Sequence, residues 1–178
     1  MTIENPTLAV LRNVSNTRDF AAAPVPDVTV GALLEAARWS GSSRNLQPWH
    51  LVVVRDRQRI REIAAATDHI SWMADAPLLL VVVMANQHPQ FDCYDEGRMT
   101  ERVLIAAKSL GLGAGMGWVP AGEGRDAVLR IVGAPAGAMV RTVIAVGTPV
   151  PGATHRPTNR KPLAEFASRE RYGTGDPV

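Results

Sequence analysis

The chain has 178 residues, 46% hydrophobic and 20% charged, which is enough for one domain with a substantial core and fits an ordinary water-soluble protein. A net charge of +2, with no block of like charges, argues against nucleic acid as the main partner. The single cysteine, Cys93, rules out a disulfide framework and a thiolate metal cage, and points to a reducing cytoplasm.

The opening MTIENPTLAV lacks the basic start and long apolar core of a secretory leader, so none is expected. Residues 1–26 read as irregular and end in the proline-punctuated AAAPVP. Asp27 is placed to cap a helix with Val30, Leu33, Leu34 and Ala37 on one face, stopping near Ser40–Gly41. The next stretch, GSSRNLQPWH, packs hydrogen-bonding groups into the mouth of a β-forming run, His50–Val54. A plain connector needs only a Gly or an Asn there. The loop therefore either satisfies its own turn or holds a polar ligand.

Asp56 caps a second helix, with Ile60, Ile63 and Ala64 inward. The apolar run Ala76–Ala85 is about half the length of a membrane span. Its segment Pro77–Met84 reads as a strand buried on both faces. Asp95–Leu110 is the clearest helix, with an apolar stripe at Met99, Val103, Ala106, Ala107 and Leu110, and Gly111 as its left-handed terminator. A short helix at Arg125–Ile131 and a strand at Val140–Val146 follow. From Gly147 the prolines 149, 151, 157 and 162 predict an extended arm that needs another surface to pack on, such as a second subunit. Helices alternating with buried strands predict a three-layer α/β or α+β domain spanning the chain.

Several chemistries are missing. The sequence has no G-x-S-x-G elbow, no H-E-x-x-H and no G-x-x-x-x-G-K-[ST]. His50, His69, His88 and His155 sit at no metal-ligand spacing and read as surface or strand-edge residues, so no metal site is expected. The run GLGAGMG at 111–117 follows a helix, whereas a dinucleotide-binding loop follows a strand and opens one. It reads either as a helix stop with close backbone packing or as backbone laid against a flat ligand. Arg18 near the start and Arg160–Lys161 near the end lie in irregular stretches, and arginine is well shaped for phosphate. Each alone reads as a solvated charge. Together with the polar loop and the glycine run, they could supply phosphate, ring-edge and ring-face contacts to a phosphorylated heteroaromatic cofactor.

These segments resemble the nitroreductase family of flavoproteins. The match runs through Arg18-Asp19-Phe20, Pro24-Val25-Pro26, the loop Ser42, Asn45, Gln47, Pro48 and Trp49, the helix within Asp95–Gly113, Ala145-Val146-Gly147, and Arg160-Lys161-Pro162-Leu163. The resemblance implies a three-layer α-β-α fold of the α+β class, with a central mixed sheet flanked by helices and an arm over residues 148–178 packing on a partner. It implies FMN at the interface of a homodimer, with Arg18, Arg160 and Lys161 toward the phosphate and Asn16 able to hydrogen-bond it. Gly41, Ser42, Ser43 and Asn45 would reach the flavin from the partner chain, and Gly115, Met116, Gly117 and Trp118 would line its ring near N5. The implied activity is ping-pong hydride transfer from NAD(P)H, through flavin N5, to an electron-poor nitroaromatic or quinone. No side-chain nucleophile is needed, because the cofactor carries the chemistry. Neither nucleic acid nor membrane is an expected partner.

Two other readings remain: a flavin-dependent oxidase or dehydrogenase in a biosynthetic pathway, and a non-enzymatic flavin-binding protein. Val14 and Asn16 stand where the family usually carries arginine and serine, with Arg12 nearby as a substitute, and Gly41 replaces the proline of the family's Ala-Pro-Ser turn.

Overall fold

The computed structural model describes residues 5–153, 159–175 and 177. His155 and Pro157 lie outside the described residues. Among those described, six helices and four strands follow in chain order: α1 (Pro6–Asn13), α2 (Asp27–Arg38), β1 (Trp49–Val54), α3 (Arg57–Ala65), β2 (Leu78–Met84), α4 (Pro89–Ser109), β3 (Gly113–Trp118), α5 (Glu123–Ile131), β4 (Met139–Gly147) and α6 (Leu163–Phe166). Two 3-10 segments, Ser43–Asn45 and Asp68–Asp75, precede β1 and β2.

The strands form one sheet in the order β1-β2-β4-β3. Every residue of β2 is buried. Its alternate side chains enter two separate cores. Leu78, Leu80, Val82 and Met84 join α2 and α4 through Leu33, Met99 and Val103. Leu79, Val81 and Val83 join α3, the 68–75 segment and α5 through Ile60, Ile63, Ile70, Met73 and Val128. The result is the expected α+β class, with helices on both faces of a central sheet.

The expectation of a mixed sheet is corrected: all three strand pairings are antiparallel. Among the described residues, the parallel element is an isolated bridge between Asn16 and Ala114 at the β3 edge. Three further departures have local causes. Residues 6–13 form α1, because Asn5 accepts from the amides of Thr7 and Leu8 and Pro6 stands in the first turn. Helix α4 begins at Pro89, six residues earlier than the apolar stripe suggests, since Pro89 and Asp92 are start signals without an apolar period. Asp27 opens α2 from inside its first turn and makes no side-chain cap.

The glycine run is a strand. Gly113, Gly115 and Gly117 point to one face, where a Cβ on the first two would meet Thr17, and on the third Ile70 and Met73. Gly111, at φ +75°, ends α4 as expected. After β4 the chain runs beside residues 19–21, with Ala21 N–H donating to Thr148 O at 2.8 Å and Val150 N–H to Asp19 O at 3.3 Å. The last described segment carries the short α6 and is mostly exposed.

A buried ion pair crosses between layers. Arg141 on β4 donates to Glu96 of α4 at 3.0 Å, with side chains 15% and 5% exposed. Beside it Arg125 donates to Val119 O at 2.8 Å. Burial, then the charge of Arg141, lowers the Arg125 guanidinium below its ordinary value.

Arg141→Leu leaves Glu96 buried and unpaired, and should cost roughly 3–5 kcal/mol in urea denaturation; adding Glu96→Leu should restore most of the loss. A glycine pair offers a second check. Gly31 is exposed in α2, and a Cβ there would meet nothing within 4 Å, so Gly31→Ala should gain roughly 0.5–1 kcal/mol. Gly115→Ala drives a methyl into the Thr17 carbonyl and the Trp72 ring, and should cost roughly 1–3 kcal/mol. Thermal melts of both variants test the contrast.

Candidate functional site

The candidate residues fall into two groups on opposite edges of the sheet. The first lies along β3. Thr17 N–H donates to Ala114 O at 2.9 Å, which seats residues 16–18 beside the strand. Asn16 Oδ1 accepts from Met116 N–H at 3.2 Å, so that oxygen serves the strand. Arg18 is exposed, and its guanidinium stands 5.5 Å from the centre of the Trp72 ring. Such a stack holds a cation in place while leaving its N–H groups open to an anion.

Protein packing fills the glycine face of β3, which accounts for Gly113, Gly115 and Gly117 without a ligand. The other face differs. Ala114 is buried there, whereas Met116 and Trp118 are 42% and 49% exposed. That open stretch ends beside Val119, whose carbonyl is held by Arg125.

The second group is the loop before β1. Ser43 N–H donates to Asp95 Oδ2 at 2.9 Å, and Arg98 reaches Asp95 Oδ1 at 3.6 Å. Asp95 is buried, so the loop is fastened to α4 through a carboxylate removed from water. Gly41 packs so closely on the Arg98 guanidinium that a Cβ would displace it. Ser42 Oγ accepts from Gln47 N–H at 2.8 Å, and is thus partly spent on the loop. Arg44, Asn45 and Gln47 have φ of 50°, 57° and 49°, left-handed positions with no glycine among them, interrupted by right-handed Leu46. Asn45 is exposed, and its side-chain amide makes no hydrogen bond among the described residues. Trp49 packs partly buried against the α2–α4 core.

The two groups do not meet within one chain. β1 and β3 are separated by β2 and β4, three interstrand steps of about 4.8 Å, hence about 14 Å. Arg160 and Lys161 are exposed just before α6, with no hydrogen bond or ion pair among the described residues. Val14 packs against the α2–α4 core, and Arg12 lies exposed in the last turn of α1.

Sequence reasoning missed Trp72. It lies in the 3-10 segment before β2, donates Nε1–H to His69 O at 3.2 Å, and both stacks on Arg18 and abuts Gly115. No periodicity marks it, because a 3-10 turn repeats too briefly for a stripe. Of the histidines, His50, His69 and His88 are exposed, and no group of three His, Cys, Asp or Glu side chains among the described residues is placed to hold a metal. No helix among them is long and apolar enough to cross a membrane.

Comparison with known proteins places this geometry in context. The model of the nitroreductase family matches residues 14–72, which span the Arg18 segment, the polar loop and Trp72. A candidate NADH dehydrogenase/NAD(P)H nitroreductase of Archaeoglobus fulgidus is 30% identical over 138 residues, covering 74% of this chain and 79% of the relative. An oxygen-insensitive NADPH nitroreductase of Helicobacter acinonychis is 34% identical over 88 residues, 45% of this chain and 42% of the relative. Among solved structures, the FMN complex of a candidate nitroreductase from Desulfovibrio desulfuricans superposes with a TM-score of 0.77 at 29% identity, covering 93% of this chain and 96% of that one. With the Archaeoglobus fulgidus relative 30% identical and matched over 79% of its length, and the family model matching residues 14–72, the chain belongs to the nitroreductase family.

Proposed function

We propose that this chain is an FMN-dependent oxidoreductase that takes reducing equivalents from NAD(P)H, acts on an electron-poor acceptor such as a nitroaromatic or quinone, and works as a homodimer. The observation that carries the reading is the split site. The Arg18–β3 group and the Asn45 loop sit on opposite edges of one sheet, with β2 and β4 buried between them, and two copies that bring unlike edges together would place both groups on one ligand. Exposed Leu8 and Leu11 on α1, and Phe91 and Tyr94 on α4, supply apolar surface for such a pairing. Residues 159–175 of the arm are mostly exposed and add chain with little packing of their own.

The residues fit FMN. Arg18, held by Trp72 and exposed, offers a guanidinium to the phosphate, with Arg160 and Lys161 as further cations from the arm. Asn16 retains its amide N–H groups for the same end of the ligand. Met116 and Trp118 offer an open strand face to the ring, next to the backbone of Gly115 and Gly117. From the partner chain, Asn45 and Ser43 supply hydrogen-bonding side chains, and Gly41 and Ser42 shape the loop that carries them. Bound there, FMN would supply a reversible two-electron hydride acceptor. The protein's part is to bind and orient, and to keep the ring face open on one side for nicotinamide and acceptor in turn.

The FMN-bound Desulfovibrio desulfuricans structure and the NADPH-dependent Helicobacter acinonychis relative support this reading. The lone exposed Cys93 is consistent with a reducing cytoplasm. The direct test is the visible spectrum of the purified protein, followed by anaerobic addition of NADPH and then a quinone. Bleaching by NADPH and recovery with the quinone are expected; a colourless protein that takes up no FMN rejects the proposal. Light scattering should give twice the chain mass of 19.1 kDa.

Two substitutions separate cofactor binding from folding. Arg18→Ala should weaken FMN by roughly 2–4 kcal/mol, the scale of a charge-assisted phosphate contact, and weaken riboflavin far less. Equal losses for both ligands would assign Arg18 to folding. Asn45→Ala should reduce FMN affinity or shift the flavin potential while leaving the apoprotein melt nearly unchanged, because its amide makes no hydrogen bond among the described residues. A lower melting temperature with intact FMN affinity would make the loop a turn and nothing more.

A further inference from the structure

A cleft of ≈ 510 Å³ opens at the end of the sheet where β1 begins and β2 ends, between the first turn of α4 and residues 132–138 after α5, away from Arg18 and β3. Its volume lies within the range of small-molecule pockets. Pro48, Trp49, Val52, Met84 and Ala134 give it apolar walls. Asp92, in the first turn of α4, lines it as well. This carboxylate is 2% exposed, and its Oδ2 has no hydrogen-bond partner among the described residues. No described lysine or arginine lines the cleft, so none there neutralises it. A buried carboxylate oxygen without a donor is costly, and a ligand that brings an N–H would remove that cost.

Metal is a poor answer to this carboxylate. His50 and His88 also line the cleft, yet no three potential ligands among the described residues are grouped closely enough to hold an ion. The walls instead suit a flat hydrocarbon. We propose that the cleft binds a small organic cation with a planar apolar body, its amidinium or ammonium group donating to Asp92 and its ring lying against Pro48, Val52 and Ala134. The cleft is lined by none of the residues assigned above to the flavin, neither Arg18 and Met116 to Trp118 nor Gly41 to Ser43 and Asn45.

Benzamidine and its neutral near-isostere benzamide test this on the full-length protein as purified, with binding followed by NMR shifts of the Trp49 and Val52 signals. Benzamidine should shift those signals and bind at least roughly tenfold more tightly than benzamide, the scale of one charge-assisted hydrogen bond. Asp92→Asn should bring benzamidine down to the benzamide level. Ala134→Leu, which fills the cleft without touching the carboxylate, should weaken both probes. Equal affinity of the two probes for the unaltered protein, a preference that survives Asp92→Asn, or shifts confined to residues outside the cleft would each overturn the proposal. Should Asp92→Asn not fold, the probe preference and the Ala134→Leu variant still decide it.

Discussion

Burial of β2 on both faces constrains everything around it. Seven consecutive side chains, Leu78 to Met84, are removed from water, four into one core and three into the other. At about 25 cal/mol per Å² of apolar surface, this strand is among the largest sources of stability in the chain. Such a strand offers no polar side chain to a ligand. Polar function is displaced to the two edges of the sheet, to β1 with its entry loop and to β3 with the Arg18 segment. The division of the candidate site follows from this.

Each edge is then fixed by a different means. At β3, alternate glycines remove three side chains, so that the backbone of residues 16–18 and the 68–75 segment can lie directly on the strand. That proximity brings Arg18 and Trp72 together. At β1, the fastener is a buried carboxylate: Asp95 draws Ser43 N–H and Arg98 to one point on α4. The same turn-and-a-half of α4 also buries Asp92 and Glu96, which serve the cleft and the Arg141 pair. Of three acids that look like the solvated start of a helix, Asp95 and Glu96 are thus internal attachment points, and Asp92 lines the cleft without a partner on Oδ2 among the described residues.

The sequence is most legible where burial imposes a period. β2, α3 and the later turns of α4 stand where a continuous apolar run or an apolar stripe placed them, and Gly111 ends α4 for the reason its φ demands. Legibility fails where tertiary contact overrides propensity. Gly113–Trp118 has the composition of a loop and becomes a strand because β4 pairs with it on one side and residue 16 on the other. The mixed sheet expected from the family likeness is antiparallel, its parallel element reduced to one bridge among the described residues. For the site, Arg18 and the polar loop could be picked out by residue type, whereas Trp72 could not, because its role exists only through what the fold sets beside it.

The loop before β1 also bears on whether it is only a connector. A reversal of direction is met most cheaply by glycine at positions of positive φ. This loop instead places Arg44, Asn45 and Gln47 there, and for L-residues other than Asn and Asp that conformation costs on the order of 1–2 kcal/mol each. The conformation is held by Ser43 to Asp95, Gln47 to Ser42, and the close seat of Gly41 on Arg98. Those contacts order the backbone while leaving the Asn45 amide unspent. A loop selected for reversal alone gains nothing from that arrangement. A loop that must present a rigid amide to a second molecule gains directly, because ordering completed during folding is not charged again to binding.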